Sequence, residues 1–337
     1  MNRNQSTLQL KHLFTIPVEV DDNFLVLNKD SQQINQAQTN KAFSEKWRRH
    51  SLSEEKERAF QYQKDWYLNL YGFSSVDEFA SYLHAKPVIF DAGCGLGYKA
   101  AWFAELAPDS LVIGMDFSDA AHQAARTYGK LQNLFFIKGD IGNTGMASGC
   151  CDYTNCDQVI MHTENPESTF SELARITNIN NGELACYFYA KKALPRELLD
   201  EHFRIYCHSM SHSDLWAMSE QLTELGKRLS DLNVSFDCPD IPALGIRGGN
   251  IDVQRFIYWN FIKCFWNSEL GFENSVVTNF DWYSPSNARR FTEEEVKNIA
   301  ATNNMIEVFF HVEEACYSGR FTKTSIEPET LKSKPIS

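Results

Sequence analysis

Long apolar runs are missing from this sequence. No stretch approaches the roughly 20 residues needed to cross a bilayer, and the opening Met1-Asn-Arg-Asn-Gln has no apolar core of the kind a signal peptide carries. A soluble, cytoplasmic protein with no membrane partner is expected. Basic charge is also scarce: 32 Lys and Arg stand against 44 Asp and Glu, for a formal charge of −12. With no long Lys/Arg run, a phosphate backbone would be repelled, so nucleic acid is not an expected partner. Paired cysteine spacings are absent as well. The nine cysteines include no C-x-x-C, which argues against a zinc ribbon or a redox motif, and no metal site is expected. The adjacent Cys150 and Cys151 cannot form an ordinary bridge without strain. Most of the thiols therefore read as reduced, buried, small hydrophobes. No internal repeat is visible.

What is present is enough chain, 337 residues, to bury a full core. Residues 1–40 are rich in Asn and Gln without a sustained period and read as an irregular arm. Helical patterns follow over 44–50, 53–71 and 75–84, each opening on Ser. From Pro87 onward short apolar runs alternate with helices. Strands are expected at 88–90, 111–115, 134–137, 153–160 and 184–189, with helices at 99–106, 119–131 and 166–176. That alternation implies a doubly wound, mostly parallel α/β sheet, which binds ligands at the carboxyl ends of its strands.

The alternation stops over 191–290, a block rich in Trp, Tyr and Phe that reads as a helical insertion placed to roof the strand ends; within it, residues 256–266 read as one helix. A helix at 292–302 and two last strands, at 305–310 and 319–322, complete the sheet. The expected organisation is an arm and helical region (1–85), a cofactor-binding core (86–191), a helical insertion forming a substrate cap (192–290), the final helix and two strands (291–325), and a loose tail (326–337).

The chemistry is concentrated in Val88-Ile-Phe-Asp-Ala-Gly-Cys-Gly-Leu-Gly-Tyr, a strand running through a glycine-rich turn into a helix. Gly93, Gly95 and Gly97 allow close backbone approach to a ligand, and Asp91 at the strand end can accept from a ligand amine. Two readings compete here. Gly95-Leu-Gly-Tyr-Lys-Ala also satisfies G-x-G-x-x-A, with Asp116 at the distance a dinucleotide fingerprint requires, so an NAD(P)-dependent oxidoreductase is one alternative. Against it, the turn is preceded by an acid and a further glycine, giving D-x-G-x-G-x-G, and a second acid, Asp140, follows the third strand.

The order of these elements over about 86–192, with Cys156-Asp-Gln-Val-Ile-Met-His-Thr-Glu-Asn-Pro after the fourth strand and Asn180-Asn-Gly-Glu before the fifth, resembles the class I S-adenosylmethionine-dependent methyltransferases. The resemblance implies a seven-stranded sheet of that fold and S-adenosylmethionine as the cofactor, with S-adenosylhomocysteine as product. It implies that Gly93, Cys94 and Gly95 line the methionine and ribose side, that Asp116 accepts both ribose hydroxyls with Phe117 against the adenine, and that Asp140 and Ile141 meet the adenine edge. Asp157 and Gln158 would orient the methionine end, and His162, which titrates in the useful range, would be the base if the acceptor arrives protonated. Methyl transfer itself is an in-line displacement in which orientation supplies much of the rate.

Further blocks, Phe43-Ser-Glu-Lys-Trp, Tyr189-Ala-Lys-Lys with Pro195-Arg-Glu, and Asn279-Phe-Asp-Trp-Tyr-Ser-Pro before Thr292, are similar to bacterial methyltransferases encoded with surface-polysaccharide or secondary-metabolite genes. They suggest a small-molecule or sugar acceptor, methylated on oxygen or nitrogen, and leave room for a homodimer. A second alternative keeps the fold and drops the chemistry, as an inactive cofactor-binding partner protein. Within the insertion, Arg247, Gly248 and Gly249 ahead of a helix form a candidate anion site for the acceptor.

Overall fold

A computed structural model describes residues 3–27, 34–50 and 56–323. The N-terminal part forms α1 (Arg3–Lys11), β1 (Val18–Asp21), β2 (Phe24–Leu27), α2 (Ile34–His50), α3 (Lys56–Tyr71) and α4 (Val76–His84). The alternating core follows as β3 (Val88–Ala92), α5 (Tyr98–Leu106), β4 (Leu111–Asp116), α6 (Ala120–Tyr128), β5 (Leu134–Lys138), β6 (Tyr153–Cys156), α7 (Pro166–Ile176) and β7 (Glu183–Tyr189). Next come α8 (Leu194–Cys207), α9 (His212–Asp231), β8 (Ser235–Cys238), β9 (Gly249–Asp252), α10 (Val253–Asn260) and α11 (Phe272–Tyr283). The chain then closes with α12 (Glu293–Thr302), β10 (Met305–Val312) and β11 (Cys316–Lys323).

One nine-stranded sheet runs β1-β2-β5-β4-β3-β6-β7-β11-β10. Strands β2, β5, β4, β3, β6 and β7 pair in parallel, while β11 joins β7 and β10 joins β11 antiparallel. Every residue of β3 and β4 is buried, as strands covered on both faces must be. The strand order reverses between β3 and β6, and this switch point opens a crevice at the strands' carboxyl ends. Local chemistry fixes the helix starts. The Ser75 hydroxyl caps α4, Asn165 caps α7 with Pro166 in its first turn, and Thr292 with Glu295 forms a capping box on α12.

Several elements differ from the sequence expectation. The seven expected strands are present, and two more come from the arm, which is not irregular over 3–27. Its antiparallel β1–β2 hairpin adds to the β5 edge, where Phe24 and Leu25 lie in register with Phe136 and Ile137. Strand β6 stops at Cys156, four residues short of the expected end, because Gln158 turns to φ 63° and Ile160–His162 form a 3-10 turn. The insertion is not wholly helical, since β8 and β9 pair as a hairpin. Helix α10 ends at Asn260, well before the expected 266. The expected helix start at Ser53 and the tail at 326–337 lie outside the described residues. All nine cysteines are free and all but Cys150 are buried. Among the described residues no helix is long and apolar enough to cross a membrane, and no cluster could hold a metal ion.

Candidate active site

Three strand ends deliver acids to the crevice: Asp91 from β3, Asp116 from β4, and Asp157 just beyond β6. A cavity of about 120 Å³ collects all three with Gly93, Cys94, Phe117, Asp140, Ile141, Gln158 and His162. The glycine turn is tightly enclosed. Gly93 has φ 77°, and a Cβ there would lie 2.4 Å from the Val159 side chain; at Gly95 it would lie 2.7 Å from the Trp47 ring. Neither position accommodates a larger residue without movement. The amides of Gly93 and Cys94 both donate to Met115 O, and the Gly95 amide donates to Asp116 Oδ2 at 2.8 Å. The amides of the turn at Gly93, Cys94 and Gly95 are therefore engaged within the fold.

Asp91 is the least satisfied of the acids. Its Oδ1 accepts from Asn155 Nδ2 at 2.7 Å, and Asn155 is oriented by the Tyr67 hydroxyl, which donates to its Oδ1 at 2.8 Å. Oδ2 is buried and has no partner among the described residues. Burial pushes this carboxyl up to about 6, against the pull of Lys99 and the Asn155 hydrogen bond. A buried carboxylate oxygen without a donor is costly, and a ligand cation is the complement it lacks. Asp116 is better supplied: Ser118 donates to Oδ1 from both its amide and its hydroxyl, at 2.8 and 2.6 Å. With Gly95 on Oδ2, that oxygen keeps capacity for one further donor, so the two ribose hydroxyls expected on Asp116 cannot both be held symmetrically. Asp140 is exposed, with Oδ1 accepting from the Gly142 amide at 2.8 Å.

Asp157 is engaged through both carboxylate oxygens within the fold. Its Oδ1 accepts from the Tyr71 hydroxyl at 2.9 Å, while Lys99 and Gln158 Nε2 hold Oδ2. The pair with Lys99 is buried on both sides, and it anchors the cavity wall. Gln158 spends its amide on that anchor. His162 is buried with Nδ1 at 2.8 Å from Asn287 O, so Nδ1 carries the hydrogen and the unpartnered Nε2 is an acceptor. Burial pulls the imidazole down to about 4. It is neutral near pH 7 and too weakly basic for the expected role of proton abstraction, which favours a pKa near the working pH.

Arg247, Gly248 and Gly249 are not brought to this crevice. They are exposed, the Gly248 amide is taken by Asp240 Oδ1 at 2.9 Å, and Gly249 belongs to β9. Arg247 lines a separate recess with Lys191 and Tyr317. An anion site there is disfavoured because the Asp240 carboxylate already holds the Gly248 amide.

Sequence reasoning missed other groups. Thr39, Asn40, Phe43, Lys46 and Trp47 of α2 roof the first cavity. Their spacing marks one helix face, a signal legible within the Phe43-Ser-Glu-Lys-Trp block. Lys99 sits immediately behind the glycines, and Tyr67 and Tyr71 on α3 share a face at i, i+4. A second cavity of about 350 Å³ adjoins the first, and Lys46, Trp47, Gln63, Tyr98, Gln158 and Asp281 line both. The insertion supplies one wall of it through Tyr258, Trp259, Lys263 and Trp282.

Residues 83–247 match the family described as a methyltransferase domain. That segment, just under half of the chain, is similar to methyltransferase domains and takes in β3 to β8. Curated relatives include malonyl-[acyl-carrier protein] O-methyltransferase of Legionella pneumophila (32% identical over 32% of this chain and 38% of the relative) and an uncharacterized methyltransferase of Schizosaccharomyces pombe (30% identical over 28% and 38%). The match thus spans well under half the length of these relatives. Among solved structures, PKMT2 from Rickettsia typhi is similar over 73% of this chain and 50% of that one, at 16% identity and TM-score 0.50. That likeness is one of fold. Methyltransferases of this family use S-adenosylmethionine. The orphaned Asp91 oxygen, the Gly93 cradle and the acids Asp116 and Asp140 fit its ammonium and nucleoside ends. At about 120 Å³ the first cavity is narrower than small-molecule sites usually are.

Proposed function

We propose that this protein transfers a methyl group from S-adenosylmethionine, held in the first cavity, to a small-molecule acceptor in the second. The observation that carries this reading is the junction of the two cavities at Gln158, Asp281 and Tyr98, on the carboxyl side of the switch point. Asp91 would take the cofactor's ammonium, Asp116 Oδ2 a ribose hydroxyl, and Asp140 with Ile141 the adenine edge. When bound, the cofactor supplies an activated methyl group on its sulfonium.

The chain's own residues contribute orientation. Lys99, Tyr71 and Gln158 fix Asp157, and Asp157 in turn fixes the left-handed Gln158 at the junction. His162 lines the first cavity, where the acceptor's reacting O–H or N–H has to reach the methyl group, and its neutral Nε2 is suited to accept a hydrogen bond from that group and so to align it. Asp281, paired with Lys46 at 3.0 Å, holds the roof helix against the insertion. The second cavity is enclosed and ring-lined, which supports a whole small molecule as acceptor.

Calorimetric titration should show S-adenosylmethionine and S-adenosylhomocysteine binding with NAD and NADP inert. Incubation of a metabolite extract with methyl-labelled cofactor should yield a labelled product. NAD binding in place of S-adenosylmethionine would return the oxidoreductase reading. Cofactor binding with no labelled product from any extract would favour the inactive partner.

A further inference from the structure

The second cavity contains a cation that the fold does not neutralise. Lys46, Lys192, Arg196, Arg255 and Lys263 all line it; three of them are held by partners within the fold, and Arg255 is only half-buried, its guanidinium 5.8 Å from the Tyr258 ring. Lys192 Nζ donates to Ala190 O, Glu314 O and Ala315 O, using its three hydrogens. Arg196 is bound to Asp200 at 2.7 Å and to Tyr258 O, and Lys46 is paired with Asp281. Lys263 is 7% exposed, and among the described residues no acceptor reaches its ammonium. Its closest recorded partner is the face of Trp282, 4.4 Å from Nζ to the ring centroid.

The nearby carboxylates do not serve it either. Asp200 is consumed by Arg196 and the Trp282 indole N–H at 2.9 Å, with the Tyr283 hydroxyl at 3.3 Å. Burial, with Arg196 and Lys192 adding to it and Asp281 and Asp200 opposing, pulls Lys263 down to about 7. A counter-ion would reverse that penalty. Aromatic rings form part of the same wall: Tyr189 packs on Trp282 with centroids 5.1 Å apart, and Tyr258 on Trp259 at 4.5 Å. Rings of this kind accept another ring by offset or edge contacts. A volume of about 350 Å³ lies at the low end for small-molecule sites. Of the basic groups here, Lys263 is the buried one without a counter-ion among the described residues, and it matches one negative charge.

We infer that the acceptor is a small aromatic carboxylate, its ring held among Tyr189, Tyr258, Trp259 and Trp282 and its carboxylate on the Lys263 ammonium. This assignment rests on the reading of the second cavity as the acceptor site. The test uses 4-hydroxybenzoate and its neutral analogue 4-hydroxybenzamide as probes, read by quenching of tryptophan fluorescence in the presence of S-adenosylhomocysteine. The wild-type protein should bind the carboxylate at least tenfold more tightly than the amide. Lys263→Met should abolish that preference while leaving amide binding and calorimetric affinity for S-adenosylhomocysteine within twofold of wild type. Lys263→Arg should restore a preference for the carboxylate, and the wild-type comparison stands even if a variant fails to fold. Equal binding of the two probes to the wild type, or no saturable quenching by either, overturns the inference. If S-adenosylhomocysteine binds while the carboxylate preference is absent, the substrate class alone fails; if the cofactor does not bind, the methyltransferase reading fails with it.

Discussion

Replacing Asp91 with Asn separates the cost of the first cavity from its use. In the free protein the Asp91 carboxyl sits at about 6, roughly two units above its ordinary value, and each unit corresponds to about 1.4 kcal/mol. Ionising it inside the fold therefore costs about 3 kcal/mol. Below about pH 4 the carboxyl is protonated in both folded and unfolded chains, and no penalty exists. Between about 4 and 6 the unfolded chain releases the proton first, the folded state holds it, and stability falls as pH rises; above about 6 the penalty is complete. Asn is uncharged and of the same shape, and its Oδ1 can still accept from Asn155. At pH 8 the variant should exceed the wild type by up to about 3 kcal/mol, a rise of several degrees in Tm, and the difference should vanish toward pH 4.

Cofactor binding should move the opposite way, because a charge-assisted hydrogen bond worth about 1.5 to 3 kcal/mol is lost, weakening S-adenosylmethionine about 10- to 100-fold. Near pH 6 the wild type should also release part of a proton on binding, visible as a heat that depends on the ionisation enthalpy of the buffer, and the variant should not. Thermal unfolding at pH 5 and 8 with calorimetry on both proteins makes the comparison. A variant that is less stable at pH 8 and binds the cofactor as well as wild type would refute the reasoning.

Asp116→Ala should weaken S-adenosylmethionine at least tenfold and lower stability by about 1 to 3 kcal/mol, since the Gly95 and Ser118 donors lose their acceptor; unchanged calorimetric affinity in a folded variant would count against it. His162, pulled down to about 4, takes up a proton in the unfolded chain before the folded one, so its contribution to stability should fall as pH drops from about 6.5 to about 4. His162→Asn should remove that component of the unfolding profile and slow turnover about tenfold with cofactor affinity intact; a wild-type turnover profile governed by a group near 6.5 would restore it as the base. Gly93→Ala places a Cβ 2.4 Å from Val159 at φ 77° and should lower Tm by several degrees and cofactor affinity together, whereas wild-type melting would show that the turn has slack.

Much of the core was legible because parallel strands buried on both faces leave short apolar runs, and the turn after β3 needs glycine for backbone reasons that operate within a few residues. Asp91 and Asp116 were found for the same reason: each ends a strand, and strand ends are local events. The roles of Asp157 and Gln158 were not legible, because Tyr71 lies 86 positions from Asp157 in sequence and Lys99 lies 58, and nothing in the local pattern reports that contact. The Arg247 segment shows the opposite error, in which glycines and an arginine near a helix start suggested a free anion site until β8 paired with β9 and Asp240 took the amide. The helix ending early at Asn260 belongs with it. An aromatic run sustains a helical pattern past the point where Gln254 Nε2 binds Cys264 O at 3.0 Å and the chain turns away.

The sequence by itself determined the α/β alternation, the glycine turn and the acids at the strand ends, because periodicity, backbone freedom and capping all act over a few residues. Only the tertiary structure decided which polar groups remain unsatisfied. Asp91 Oδ2, His162 Nε2 and the Lys263 ammonium are distinguished from their neighbours by partners that distant segments failed to supply. In a close-packed interior that lack of partners is a property of the whole fold.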